Sequence, residues 1–512
     1  MGTGNAADWF VDRHLAEGRG DRTAFREASG ARRTLSYAAL AGDTARLAGA
    51  LARAGIRREE RAAMILTDRL EFPTVFWGAL KAGVLPVPVN TLLSTDVLGA
   101  VLRDSRAAVA FVSAELLDVA GPALRGAPDL RAVVVVGGAA PEGWTGYDAF
   151  VAGAEALPTL ACAGDEVAFW LYSSGSTGQP KGVRHVHDAL RVTCDTYGAQ
   201  VLGIREDDVA FSAAKLFFAY GLGNGMSFPL SVGATAVLFD GRPTPEAVAA
   251  VLAAERPTLF FAVPTLYAAL VHRFETHAPP DAPLRACVSA GEALPEAVGR
   301  RWRDVWGVDI LDGVGSTEML HIFLSNRPSA VEYGTSGVPV PGYAVRLVDE
   351  AGAEVGPGVV GELLVSGGSA AADYWNRRSK SRATFEGEWT RTGDKYERSA
   401  AGRYVYCGRT DDMFKVSGIW VSPFEVEQAV ASHPAVLEAA VVARRDADGL
   451  EKPRAVVVLK DPGATDGIEA ALRDHVKDRL GKWTYPRWIE VVEALPKTAT
   501  GKIQRFRLRE EA

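Results

Sequence analysis

Twelve residues from Tyr172 to Val183, YSSGSTGQPKGV, hold three glycines, four aliphatic hydroxyls, a proline and a lysine, directly behind the apolar run Val167 to Leu171. A strand that ends in such a string hands its backbone to an anion-binding loop. The glycines let the amides of Ser174, Gly175, Ser176, Thr177 and Gly178 turn inward, and the hydroxyls with Lys181 add donors to phosphate oxygens. The Walker pattern does not fit, because Pro180 precedes the lysine and Gly182 follows it. A flexible Ser/Gly linker fits poorly too, since linkers seldom carry an ordered S-G-S-T-G-x-P-K-G behind a strand-like segment.

Helical and strand-like patterns alternate around this loop. From Ser36 to Gly55 the residues Leu40, Ala41, Leu47, Ala48, Leu51 and Ala52 recur at helical spacing, with Ser36 as N-cap and Gly55 as stop. Short apolar runs follow at Ala62 to Leu66, Val84 to Val89, Ala132 to Val136, Ala234 to Phe239, Leu259 to Val263 and Ala286 to Ser289. The alternation predicts an α/β body of two mixed or parallel sheets flanked by helices. Turn clusters between Ala344 and Tyr406 predict an antiparallel, barrel-like subdomain. Beyond Gly408 the pattern shortens, with a hairpin-like pair at Leu437 to Ala443 and Arg454 to Leu459, and predicts a small α+β domain.

At 512 residues and 48% hydrophobic content, one core is not expected to hold the whole chain. A formal charge of −7 argues against nucleic acid as the main partner. No run approaches the roughly 20 apolar residues that cross a bilayer, and the N-terminus lacks a signal-peptide core, so a cytoplasmic protein without a membrane partner is expected. The four cysteines, Cys162, Cys194, Cys287 and Cys407, have neither zinc-ligand nor disulfide-framework spacing and are expected as reduced thiols.

The string Tyr172 to Val183 resembles the signature of the adenylate-forming superfamily, which holds acyl-CoA synthetases, luciferases and the adenylation domains of peptide synthetases. Further motifs of that superfamily recur in order at Lys215 to Asn224, Gly315 to Glu318, Thr392 to Asp394, Gly408 to Gly418 and Pro496 to Lys502. The opening NAADWFVDRHLAEG and the run Glu318 to Asn326, EMLHIFLSN, resemble benzoate-CoA ligases, so the likeness spans nearly the whole chain.

The resemblance implies an N-terminal AMP- and acyl-binding domain over 1–410 and a mobile C-terminal domain over 411–512. It makes Ser174, Gly175, Ser176, Thr177, Gly178 and Lys181 the phosphate cradle, and Thr317 a contact to the α-phosphate or carboxylate. Glu318 becomes the ligand of Mg²⁺, a hard cation suited to carboxylate and phosphate oxygens. Ala290, Gly291 and Glu292 belong to the adenine-side loop, where Val314 replaces the tyrosine that many members stack on adenine. Asp394 takes the ribose hydroxyls, with Arg409 beside it. Lys502 bridges the acyl carboxylate and the α-phosphate during adenylation. Rotation about Asp411 then removes Lys502 and brings Lys415 and Gly418 to the pantetheine path of coenzyme A.

The acyl pocket draws on Lys215 to Asn224, particularly Phe218, Ala219, Tyr220 and Gly221, and on His321 and Ile322. Flat rings pack well between aromatic faces and glycine backbone, which favours an arylcarboxylate over a long chain. Ala219 stands where amino-acid-activating relatives carry an aspartate for the substrate ammonium. The expected activity is an AMP-forming arylcarboxylate-CoA ligase using benzoate or a substituted benzoate, ATP, Mg²⁺ and CoA, as a monomer or homodimer. The alternatives are a stand-alone aryl-acid adenylating enzyme that loads a carrier protein, and a catalytically silent nucleotide-binding relative.

Overall fold

Contacts group the chain into two units, Met1–Ala344 with Val365–Thr390, and Val345–Leu364 with Arg391–Ala512. The computed structural model describes residues 4–174, 180–410, 413–416, 419–446, 450–480, 484–497 and 503–510.

The first unit is built on two large sheets. One has nine strands in the order Val338–Pro339, Ile322–Ser325, Ile310–Gly315, Ala286–Ser289, Leu259–Ala262, Val209–Ser212, Thr235–Leu238, Thr23–Glu27 and Thr34–Ser36. Pairing is parallel from Ile310–Gly315 across to Thr23–Glu27 and antiparallel at both edges. The other sheet, Leu85–Pro88, Arg61–Ile65, Ala107–Ser113, Ala132–Val136 and Thr145–Gly146, is parallel throughout. Its strand Ala107–Ser113 is buried at every position, the signature of a strand covered on both faces.

The apolar runs expected as strands all occur as strands of these two sheets. The first amphipathic helix forms over Tyr37–Arg53, and the Ser36 side chain accepts a hydrogen bond from the Ala39 amide, closing its N-terminus. Its residues Leu40, Leu47, Ala48 and Leu51 are fully buried. Beside the nine-stranded sheet, Phe260, Tyr267 and Trp302 pack ring to ring, with Tyr267 edge-on to Trp302 at 4.8 Å.

A third sheet carries the glycine-rich loop. Strands Val167–Ser174 and Pro180–Val186 pair antiparallel with Ser174 opposite Pro180 and Ser173 opposite Lys181. Asp373–Tyr374 joins the outer edge of Pro180–Val186, with Asp373 opposite Arg184 and Tyr374 opposite Val183. The Arg184 guanidinium donates to both Asp373 carboxylate oxygens at 2.6 and 2.5 Å, which pins that register.

In the second unit, Trp389–Arg398 and Tyr404–Arg409 form an antiparallel pair in the sheet that also contains Ala344–Val348 and Gly361–Ser366. The expected hairpin forms as Val436–Arg445 against Glu451–Leu459, and Trp488–Val491 adds parallel to the latter. Helices Pro423–Ala431 and Ile468–Leu480 cover this sheet through Val426, Val430, Leu472 and Val476.

Candidate active site

The pairing of Asp373–Tyr374 with the strand of Lys181 sets three polar groups together in the first unit. The Tyr374 hydroxyl donates to the Glu318 carboxylate at 2.7 Å, and the Lys181 ammonium lies 3.5 Å from the same Glu318 oxygen. That ammonium also sits 3.4 Å from the Tyr374 hydroxyl and 4.4 Å from the centre of its ring. Burial pushes the Glu318 carboxyl upward, but the Lys181 charge and the Tyr374 hydroxyl outweigh it and hold Glu318 below the usual range. The group is an ionised carboxylate with a counter-cation already in place. Behind it lies His185, fully buried; burial pushes its ring down to about 4 against the opposing pull of Glu318, so a neutral ring backs the charged pair.

Glu318 stands in the turn after strand Ile310–Gly315. The Met319 amide donates to the Ser316 hydroxyl at 3.1 Å, and the Ala371 amide donates to the Glu318 carbonyl at 2.7 Å. Leu320, buried at 2% exposure, takes φ 66° to turn the chain back. A non-glycine residue there costs on the order of 1–3 kcal/mol and persists where its surroundings hold it. Thr317 lies within this turn, and its carbonyl receives the Leu320 amide at 3.2 Å.

Three residues past Glu318 the environment reverses. His321 is 3% exposed, with Nε2 3.1 Å from the Asn224 side-chain oxygen. Its ring packs at 4.5 Å on Phe228, 5.2 Å on Tyr197 and 5.7 Å on Tyr220. Burial pushes its pKa down to about 3, so the ring is neutral. Tyr197 and Asn224 both lie on π-helical stretches, Cys194–Leu202 and Gly223–Ser227, and such widened turns recur where a helix carries a functional group. Gly223 leaves room for the imidazole: a Cβ there would stand 2.5 Å from His321 Cδ2 and 2.9 Å from Nε2. The Tyr220 hydroxyl donates to the Val288 carbonyl at 2.9 Å, which ties this ring cluster to strand Ala286–Ser289. Ile322 is buried opposite Gly315, Ala219 and Phe218 are half-buried, and Gly221 is buried.

On the remaining side of the same strand ends lies the loop Ser289 to Pro295. Ala290 is buried, Gly291 has φ 98°, Glu292 is half-buried, and the Leu294 amide donates to Asp312 at 3.4 Å. Burial pushes the Asp312 carboxyl up to about 8, against the pull of the Leu294 amide, the Ser289 hydroxyl and the Gly313 amide. Tyr374, His185, Tyr197, Asn224 as the His321 partner, and Asp312 are residues the sequence motifs did not single out. Asp312, two residues before Val314 in the G-S-T-E strand, had a usable signal in being an acid inside an apolar run; the tyrosines had none.

In the second unit the T-G-D motif lies within strand Trp389–Arg398, with Gly393 at φ 72°. The Thr392 hydroxyl donates to the Leu363 carbonyl at 2.8 Å and accepts the Asp394 amide at 3.1 Å. The Arg409 guanidinium donates to the Asp394 carboxylate at 2.9 Å and to the Thr392 carbonyl at 3.1 Å. The structure therefore brings Asp394 and Arg409 together. Lys415 lies on strand Phe414–Val416, opposite Trp420. Gly175, Ser176, Thr177, Gly178, Asp411, Gly418 and Lys502 lie outside the described residues, as does the Ser174 side chain. Among the described residues no group of three or more His, Cys, Asp or Glu side chains is arranged to hold a metal ion, and no helix is long and apolar enough to cross a membrane.

Residues 12–375 match the model of the AMP-binding enzymes, and residues 425–502 match that of the AMP-binding enzyme C-terminal domain. A 4-hydroxybenzoate-CoA/benzoate-CoA ligase of Rhodopseudomonas palustris is 54% identical over 99% of this chain and 94% of its own length. A benzoate-CoA ligase of Thauera aromatica is 54% identical over 99% of this chain and 95% of its own. The solved benzoate-CoA ligase of Burkholderia xenovorans LB400 superposes with a TM-score of 0.91 at 48% identity, covering 99% of both chains. By its phosphate-loop strands, its Lys181–Glu318 pair and these matches along nearly its whole length, the chain belongs to the adenylate-forming AMP-binding enzymes, in the benzoate-CoA ligase branch.

Proposed function

We propose that the chain is an ATP-dependent, AMP-forming arylcarboxylate-CoA ligase that converts benzoate or a ring-substituted benzoate to its CoA thioester, for the breakdown of aromatic acids. The observation that carries this is the reversal within one turn: an ionised Glu318 beside Lys181, and three residues later a neutral, ring-lined wall at His321. A carboxylate that must meet a polyphosphate, attached to a flat apolar ring, matches those two environments. Relatives named for benzoate and 4-hydroxybenzoate at 54% identity over 99% of the chain agree with it.

In the first step a carboxylate oxygen of the acid forms a bond to the α-phosphorus of ATP while the bond to the β-phosphate oxygen breaks, giving the acyl-adenylate and pyrophosphate. Both reactants are anions, so fixed positive charge and positioning supply the rate. Lys181 and the loop Ser174, Gly175, Ser176, Thr177 and Gly178 hold the departing phosphates, and Thr317 orients the α-phosphate. The Glu318 carboxylate is a hard oxygen ligand that would hold Mg²⁺, and the bound ion would supply further neutralisation of the phosphates. Lys502 bridges the carboxylate and the α-phosphate, and Asp394 with Arg409 takes the ribose. Ala290, Gly291 and Glu292 border the adenine.

In the second step the CoA sulfur bonds to the acyl carbon and AMP leaves. The domain from Asp411 onward rotates between the steps, so that Lys502 withdraws and Lys415 with Gly418 lines the pantetheine path. The enzyme acts in the cytoplasm as a monomer or homodimer.

The test is AMP release from purified protein with benzoate, hydroxy-, amino- and fluorobenzoates, and short and long fatty acids, each with and without CoA, with the thioester identified by mass. Benzoate-dependent AMP release that requires CoA supports the reading. Adenylate formation with no transfer to free CoA would instead identify a carrier-loading enzyme.

A further inference from the structure

Lys215 opens the glycine-rich string of the acyl pocket, yet its ammonium is engaged elsewhere. It donates to the Phe239 carbonyl and, at 2.7 Å, to the Gly241 carbonyl, and it lies 4.0 Å from the Asp68 carboxylate. Asp68 is 4% exposed and accepts the Leu216 amide at 3.2 Å. Asp68 is an unusual occupant of such a place, since ionic side chains are seldom buried, and its cation Lys215 is half-buried. Burial pushes the Asp68 carboxyl up to about 6 even with Lys215 nearby, and lowers Lys215. An apolar pair of similar volume would avoid that cost, so the pair must be explained by geometry it provides.

The geometry is specific. Asp68 lies just past strand Arg61–Ile65 of the five-stranded sheet, whereas Lys215 and Phe239 lie just past Val209–Ser212 and Thr235–Leu238 of the nine-stranded sheet. The pair therefore joins the carboxyl ends of strands from both sheets, where α/β folds place their ligand crevices. The Lys215 backbone then reaches the pocket directly. Its carbonyl receives the Phe218 amide at 3.0 Å, and a Cβ on Gly221 would stand 2.0 Å from that carbonyl oxygen. Gly221 thus rests on Lys215, with Tyr220 beside it against His321. Moving Lys215 moves the backbone under the ring wall.

We propose that Lys215 and Asp68 are positioning residues for acid selectivity: a buried ionic tie between the two sheets that sets the backbone from Lys215 to Gly221, and through it the fit of the aromatic acid, without touching the substrate. The inference rests on the arylcarboxylate-ligase reading above.

Steady-state AMP release by Lys215→Met and Asp68→Asn tests it, with benzoate and 4-hydroxybenzoate as acids and circular dichroism as a fold check. Lys215→Met, which keeps volume and removes the ammonium, raises the benzoate KM at least about tenfold and changes the preference between the two acids, while the KM for ATP stays within about twofold. Asp68→Asn, which keeps an acceptor for the Leu216 amide, shifts the benzoate KM in the same direction by a smaller factor. A folded Lys215→Met with unchanged acid KM and preference overturns the proposal. So does a fall in kcat alone, equal for both acids, because that is loss of active protein. If Lys215→Met does not fold, Asp68→Asn decides, and an unchanged benzoate KM there overturns it. A wild type without benzoate-dependent AMP release would break the underlying reading instead.

Discussion

Glu318 and His321 stand three positions apart in the chain and solve opposite problems. Glu318 is kept ionised because Lys181 and Tyr374 more than offset its burial, whereas His321 packs on the rings of Phe228, Tyr197 and Tyr220 beside the Asn224 amide and burial pushes it to about 3. The difference teaches where chemistry is divided. Charge stays where the strand of Lys181 and its neighbour Asp373–Tyr374 supply a partner, and it is removed where the π-helical stretches bring Tyr197 and Asn224. The left-handed Leu320 between them lets one short segment face both environments.

The largest expected effect breaks the phosphate side alone. Lys502→Ala slows adenylate formation by about 10²–10³-fold, the scale for losing one positioned electrostatic stabiliser, and leaves transfer from preformed benzoyl-adenylate to CoA nearly intact. Gly418→Leu does the reverse, as measured by pyrophosphate exchange and single-turnover thioester formation. Equal losses in both steps for both variants would contradict the division of the C-terminal domain into two working faces.

Next in size, benzoate exceeds palmitate in kcat/KM by at least about a hundredfold, roughly 3 kcal/mol of discrimination. Comparable turnover of palmitate would mean that the ring wall does not bound the acyl site. Ala219→Leu sharpens this by penalising 4-substituted rings about tenfold more than benzoate. A uniform loss would put Ala219 outside the pocket.

A smaller effect concerns stability. Asp312, pushed up to about 8, keeps its proton in the native state over a range where the unfolded chain has lost it. Between about pH 4 and pH 8 the unfolded state then binds fewer protons, so this residue makes stability fall as pH rises, by up to about 1.4 kcal/mol per pH unit. Asp312→Asn in ligand-free protein removes that slope, so urea midpoints compared at pH 5 and pH 8 differ less than in the wild type. An unchanged difference would show that Asp312 titrates normally.

The comparison also marks what could be read from residues alone. The strand runs and the Ser36-capped helix were legible because apolar spacing and caps are local. The order of strands was not: Thr23–Glu27 pairs with Thr235–Leu238, about two hundred residues on, and such pairing follows from packing of whole layers. Lys181, Glu318, Asp394 and Arg409 were legible as motif residues, and each described pair meets. Tyr374 was not, because its role depends on one edge strand reaching Pro180–Val186. Lys215 was legible as part of the pocket string but not as a tie, since its partners Asp68 and the Phe239–Gly241 carbonyls come from two distant places in the chain.

The most direct test of the account crosses the two ends in one experiment: KM values for MgATP and for benzoate in pyrophosphate exchange, for Glu318→Gln and Gly223→Ala. Glu318→Gln removes the anionic ligand, so it raises the MgATP KM, is partly recovered by added Mg²⁺, and leaves the benzoate KM near the wild type. Gly223→Ala drives a methyl group into His321, so it raises the benzoate KM about tenfold and leaves MgATP unaffected. If either variant shifts both constants together, Glu318 and His321 do not serve separate ends of the site, and the account fails.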